Sequence, residues 1–250
     1  AGTGYPLILV HGAGFLGGTE GWLHMMPALA QKYRVLALDC LNFGISDVFD
    51  QELSFAYLVD HIREFMDVLG IEKTNLAGHS MGGWIATLFA YESPERLNKV
   101  VLSAAGGTAT RPLASMVEWQ PPTPDQVRAQ FQRRLDTLPP ELGIDGQMLL
   151  QQALDAAANE EHTRAFAKVM RHMTTPITRQ RYNTLRRLPY ITTPALVIWG
   201  TEDKTNDVAM AHELHAGIKG SQIHLIEGAG HGLQQDAPDE WVRAVLAFLE

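Results

Sequence analysis

Residues 78–82 read Gly-His-Ser-Met-Gly, a G-x-S-x-G arrangement with Gly83 next. A serine hydroxyl is a weak nucleophile until a tight turn projects it and a base takes its proton. Glycines at 78 and 82 suit such a turn, because side chains there collide with a backbone in strained torsion angles. The candidate base is His231, inside Gly228-Ala229-Gly230-His231-Gly232. A histidine base needs a carboxylate to fix its tautomer. The candidate is Asp203, in Trp199-Gly200-Thr201-Glu202-Asp203, with Glu202 and Asp207 as rivals. Asp207 is the stronger rival, and it is placed in the helix that follows. The chain order is serine, aspartate, histidine. The chemistry is acyl transfer to water. Ser80 attacks a carbonyl, His231 takes the proton, and two backbone N–H groups hold the oxyanion. The Met81 N–H at a helix start supplies one. The Ala13 N–H, in His11-Gly12-Ala13-Gly14, is the candidate for the second.

These residues need a scaffold that brings them to one edge. Apolar runs at 6–10, 33–39, 75–78, 99–104, 194–199 and 222–226 read as strands. Helical patterns alternate with them. Phe55, Leu58, Val59, Ile62, Phe65, Met66 and Leu69 follow a 3.6-residue period, and Gly70 ends it. A helix runs from about Met81 to Tyr91, and another follows Pro238. Strand–helix alternation predicts an α/β fold with a mostly parallel sheet flanked by helices. Each catalytic candidate then falls at the carboxyl end of a strand, where open α/β sheets bind ligands. Residues 108–189 carry no convincing strand and read as a helical cap inserted into a core made of 1–107 and 190–250.

Composition narrows the function classes. The chain has 250 residues and a formal charge of −8, which repels a nucleic-acid backbone. No apolar run has the length of a membrane span. Cys40 is the single cysteine, so no intrachain disulfide can form; with no secretory signal, a cytoplasmic location is expected. The chain starts at Ala1 rather than methionine, so a leader or first strands are expected to have been trimmed.

The segments HGAG, GHSMGG, WGxxD and GAGHG, in this order, resemble the α/β-hydrolase superfamily. The resemblance runs from about Gly4 to the C-terminus, apart from the insertion. It implies a helical cap after the family's sixth strand, two strands ahead of the first one visible here, and no cofactor or metal. Within the superfamily, residues 11–47 are similar to the meta-cleavage product hydrolases, which split a carbon–carbon bond in vinylogous 1,5-diketones from aromatic degradation. The similarity lies in the glycine-rich loop after His11-Gly12, then Trp22, then the Pro27 segment, then the Asn42-Phe43-Gly44-Ile45-Ser46-Asp47 turn. Serine at position 80 disfavours the relatives with a carboxylate nucleophile. That family usually has asparagine where this chain has His79, and tryptophan where it has Gly232. A carboxylesterase, or a lactone or thioester hydrolase, therefore stands beside C–C hydrolysis. A receptor-like, non-catalytic member of the fold is a further alternative, disfavoured by three intact catalytic candidates.

The substrate is expected to be a small or medium apolar carbonyl compound between core and cap. Gly12, Gly14, Phe15, Met81, Trp84 and Leu233 are candidates on the core side. Trp119, Met116, Met170 and Met173 are candidates on the cap side. Arg111, Arg186 and Arg187 are considered for a substrate carboxylate, against plain solvation. Gly12-x-Gly14-x-x-Gly17 has the spacing of a dinucleotide fingerprint, and Asp39 follows it. The glycines and Pro27 that come next argue against the helix such a motif must open. His212 and His215 lie one helical turn apart, without a third metal ligand. His61, His79 and Cys40 read as structural. The partner is a small molecule, with no nucleic acid and no membrane; a homo-oligomer is left open.

Overall fold

The computed structural model describes residues 1–15, 17–112, 114–135 and 143–250. Among the described residues, six strands form one parallel sheet: β1 (Tyr5–Val10), β2 (Tyr33–Leu38), β3 (Thr74–His79), β4 (Leu97–Ser103), β5 (Ala195–Gly200) and β6 (Gln222–Ile226). Their spatial order is β2-β1-β3-β4-β5-β6. β5 (ALVIWG) is buried along its whole length, and β3 (TNLAGH) all but its last residue. Such continuous apolar runs are what a parallel sheet covered on both faces requires.

The short α1 (Met26–Leu29) follows the β1 loop, and α2 (Phe55–Val68) and α3 (Met81–Glu92) bracket β3. The buried face of α2 is Phe55, Leu58, Val59, Ile62 and Met66, the predicted stripe. Gly70 then takes a left-handed φ of 65°, which favours glycine. α3 is buried around nearly its whole surface because it seats directly on the sheet. α9 (Ala209–Gly217), the four-residue α10 (Leu233–Asp236) and α11 (Pro238–Leu249) complete the core.

Between β4 and β5 the described residues hold α4 (Ala114–Val117), α5 (Pro124–Leu135), α6 (Gly146–Ala158), α7 (Glu160–Thr174) and α8 (Pro176–Arg181). The insertion follows β4, the fourth strand present here. α7 is the most sharply two-faced of these. Ala165, Phe166, Val169, Met170 and Met173 turn inward, and the Asn159 side chain caps its start by accepting the N–H groups of Glu161 and His162. Phe166 lands on Phe15 and Phe43 of the core, with ring centroids 5.0 and 5.2 Å apart. The two chain segments that enter and leave the helical region are tied together. Thr184 N–H donates to the Gly107 carbonyl, and the Asn183 amide donates to the Thr108 carbonyl.

Candidate active site

The strand order places the site. The chain leaves β1 for β2 on one side, then returns to β3 on the other. The carboxyl ends of β1 and β3 therefore flank a crevice at the topological switch point. Ser80 follows β3 directly, and the Gly12–Gly14 loop follows β1.

Ser80 sits at φ 55°, ψ −112°, a strained conformation for a residue with a side chain. Its backbone is held from both sides: Ser80 N–H donates to the Ser103 carbonyl, and Gly106 N–H donates to the Ser80 carbonyl. The glycines around it are required by contact. A Cβ at Gly78 would lie 2.2 Å from the Gly82 carbonyl oxygen, and one at Gly82 would lie 2.2 Å from that of Val10. These approaches let α3 start against the sheet, with its N-terminus at the crevice.

His231 lies beyond β6. Its Nε2 is 2.9 Å from Ser80 Oγ, and its Nδ1 is 2.8 Å from Asp203 Oδ2. Asp203 is buried, and its Oδ1 accepts the N–H groups of Thr205 and Asn206, each at 2.8 Å. The two bonds to Oδ1 orient the carboxylate so that Oδ2 faces His231. The rival carboxylates point elsewhere. Glu202 is exposed, and Asp207 stands just ahead of α9, where its Oδ1 accepts the Ala209 N–H at 2.8 Å. Asp207 therefore lies outside the helix in which its place in the sequence puts it. Its short side chain caps the first turn, a common use of aspartate.

Ala13 and Met81 face the same crevice, and among the described residues neither backbone N–H is taken by a hydrogen bond. The β1 loop that presents Ala13 is fixed by His11, a residue with no assigned role in the sequence reading. His11 Nδ1 donates to the Gly12 carbonyl at 2.8 Å, and Nε2 accepts the Cys40 N–H at 2.9 Å. That bonding needs the neutral ring, and burial holds the His11 pKa below its usual value.

A cavity of about 340 Å³ opens on Ser80 and His231. Gly12, Gly14, Met81 and Trp84 line it from the core, and Met116, Met170 and Met173 line it from the cap. Three predicted substrate contacts do not line it. Phe15 and Trp119 turn away to pack on Phe166 and on each other, with centroids 4.8 to 5.6 Å apart. Leu233, the first residue of α10, is fully buried, while Gln234 and Gln235 reach the cavity instead. Helix rotation decides which side chains face inward, and sequence spacing leaves that rotation open.

The arginines considered for a carboxylate are also elsewhere. Arg111 and Arg186 are exposed, and Arg187 stacks over Tyr91 at 5.6 Å. The cation that lines the cavity is Arg179 of α8, which sequence reasoning missed. It is only 6% exposed and lies 5.4 Å over the Trp84 ring. Nε donates to the Met173 carbonyl and Nη1 to that of Ala109, and no carboxylate of a described residue pairs with it. Burial pulls its pKa below the usual arginine value. In Gly12-x-Gly14-x-x-Gly17, Gly17 N–H donates to the Gly14 carbonyl. Only a four-residue 3-10 turn, Thr19–Trp22, follows it. The Asp39 carboxylate is taken up by the N–H groups of Thr19 and Ile45, so it clamps two loops and is not presented to a ribose. His215 bonds Ser221, and no cluster of metal-ligating side chains occurs among the described residues.

Residues 5–238 match the model of the alpha/beta hydrolase fold family. The chain is 30% identical to the 2-hydroxy-6-oxo-6-phenylhexa-2,4-dienoate hydrolase of Burkholderia cepacia, over all of this chain and 89% of that protein. Among solved structures it resembles a serine hydrolase involved in carbazole degradation (27% identity, TM-score 0.79, 100% of this chain and 92% of that one). It also resembles a membrane phospholipase A (27% identity, TM-score 0.76, 99% and 80%). No helix among the described residues is long and apolar enough to cross a membrane. With a family match across nearly its whole length, the chain belongs to the α/β-hydrolase fold family, and it is a hydrolase.

Proposed function

We propose that Ser80, His231 and Asp203 act as a catalytic triad on a carbonyl compound that has an apolar body and a carboxylate, of the 2-hydroxy-6-oxo-dienoate type. One observation carries the choice of substrate. Arg179 is a buried guanidinium without a carboxylate partner among the described residues, and it borders an otherwise largely apolar cavity beside Ser80. An unpaired buried charge is costly, and a bound anion offsets that cost. The similarity to a dienoate hydrolase supports the same substrate class. A cavity of about 340 Å³ suits a small or medium ligand.

In this mechanism the dienol first ketonises, with His231 as the proton carrier. Ser80 Oγ then attacks the distal carbonyl, and its proton passes to His231 Nε2. The Ala13 and Met81 N–H groups hold the oxyanion; removing one such donor typically costs about 2.7–4 kcal/mol of transition-state stabilisation. Collapse breaks the C–C bond, and the departing dienolate takes the proton from His231. Water, activated by the same histidine, releases the acid from Ser80.

Ester hydrolysis is the second reading. His79 and Gly232 stand where C–C hydrolases usually have asparagine and tryptophan, and the likeness to a phospholipase supports it. The test runs a 2-hydroxy-6-oxo-dienoate, followed by loss of its visible absorbance, beside a short p-nitrophenyl ester. Rapid loss of the dienoate with slow ester turnover is expected. An untouched dienoate beside rapid ester turnover would overturn the C–C reading and leave an esterase.

A further inference from the structure

β6 is the third strand along from β3, so the loop bearing His231 must reach back over β5 and β4 to meet Ser80. The bonds that hold this loop point mostly the other way. Glu202 N–H donates to the Ala229 carbonyl, Gly228 N–H to Thr201 Oγ1, and Gly230 N–H to Asp236 Oδ2. His231 Nδ1 itself goes to Asp203. These contacts fix the base relative to Asp203 and α10, and they reach Ser80 only indirectly, through Asn206 Nδ2, which donates to the Ala104 carbonyl, and Gly106 N–H, which donates to the Ser80 carbonyl. Among the described residues, one hydrogen bond other than the reacting pair joins the loop to the end of β3. It runs from His79 Nε2 to the main-chain carbonyl of His231, at 2.8 Å.

His79 is wedged for this task. Its ring lies 4.9 Å from the His231 ring, at 47°. On the far side, a Cβ at Gly12 would come within 3.1 Å of its Nδ1. The groups facing it are His231, Asp203 and His11, and burial together with the His231 charge pushes its pKa down to about 3. The ring is therefore neutral. Since a carbonyl can only accept, the proton sits on Nε2.

We propose that His79 is a positioning residue, whose Nε2–H holds the His231 main chain across the sheet at the distance where Nε2 of the base meets Ser80 Oγ. The proposal rests on Ser80 and His231 being the reacting pair. It gives the position next to the nucleophile a definite function and explains why a side chain with an N–H donor belongs there.

The experiment compares His79→Asn with His79→Leu, two side chains of nearly equal size of which only the first donates. A serine-directed fluorophosphonate reports the reactivity of Ser80 without substrate binding, and steady-state kinetics separates kcat from KM. His79→Leu is expected to lower kcat and the labelling rate together, by about 10- to 100-fold, with KM within about 2-fold, because a displacement near 1 Å costs on this scale. His79→Asn should recover most of that loss. Equal labelling rates in the two variants, or a change confined to KM, would overturn the proposal. If His79→Leu fails to fold, the longer pair His79→Gln and His79→Met is read the same way. Phosphonate attached at a residue other than Ser80 in the unmodified chain would instead sink the triad itself.

Discussion

The two walls of the cavity are built by different means. On the core wall the backbone does the positioning. Ser80 is strained into place, Gly78 and Gly82 admit carbonyl oxygens where a Cβ would lie, and Asp203 is oriented by two backbone N–H groups. On the cap wall, side chains on separate helices do it. Three methionines and Arg179 reach in from α4, α7 and α8. Backbone constraints tolerate no substitution, whereas unbranched methionine side chains reshape a pocket with little strain. On the proposed function, the chemistry belongs to the sheet edge and the choice of substrate to the helices opposite it.

Breaking the core wall should give the largest effect. Ser80→Ala is expected to lower turnover by about 10⁴- to 10⁶-fold, because triad members act as a unit. Steady-state kinetics reads this, and the melting temperature should stay within a few degrees. Full turnover without Ser80 would erase the distinction between the walls.

Breaking the cap wall should be selective. Arg179→Met is expected to lower kcat/KM for a carboxylate-bearing dienoate by about 10²-fold, the scale of a hydrogen-bonded charge pair. A neutral ester should change by no more than about 3-fold. The melting temperature should stay within a few degrees, since removal of a buried charge without a carboxylate partner is offset by the Met173 and Ala109 carbonyls losing their donor. Equal losses on both substrates would show that Arg179 supports the cap and does not select the substrate.

The pH dependence of stability tests how firmly the core wall is sealed. The folded-state pKa of His79 is about 3, below the ordinary 6.5, so between those values the folded chain binds fewer protons than the unfolded one. Its contribution is complete above about pH 6.5 and is lost as pH falls through that window, by up to about 1.4 kcal/mol per pH unit for one proton. The melting temperature should therefore decline below pH 6.5. His79→Asn should flatten that decline, as calorimetry at stepped pH would show.

The smallest effect is expected at Trp119. It packs on Phe15 and Phe166 outside the cavity lining, so Trp119→Leu should leave turnover of a small substrate within about 3-fold. A larger loss in kcat/KM would mean that the cap wall extends further than the cavity does.

The sheet and the candidate reacting groups were legible because their signals are local. A buried strand needs an apolar run, α2 needs a 3.6-residue period, and a residue at φ 55° needs glycines beside it. Those demands are met within a few residues of each position, so the six strands and the Ser80 turn could be read from the chain alone. Other matters depend on distances between segments far apart in sequence. Asp203 is separated from Asp207 by which carboxylate lies within 2.8 Å of a histidine on the next strand's loop. Arg179, rather than Arg111, Arg186 or Arg187, enters the cavity because of how α8 is rotated over Trp84. His79 reaches the His231 main chain only because a loop 152 positions later folds back over two strands to meet it. Local torsion and periodicity are written in the sequence, but which side chains converge is set by strand order and helix rotation, which exist only once the core has packed.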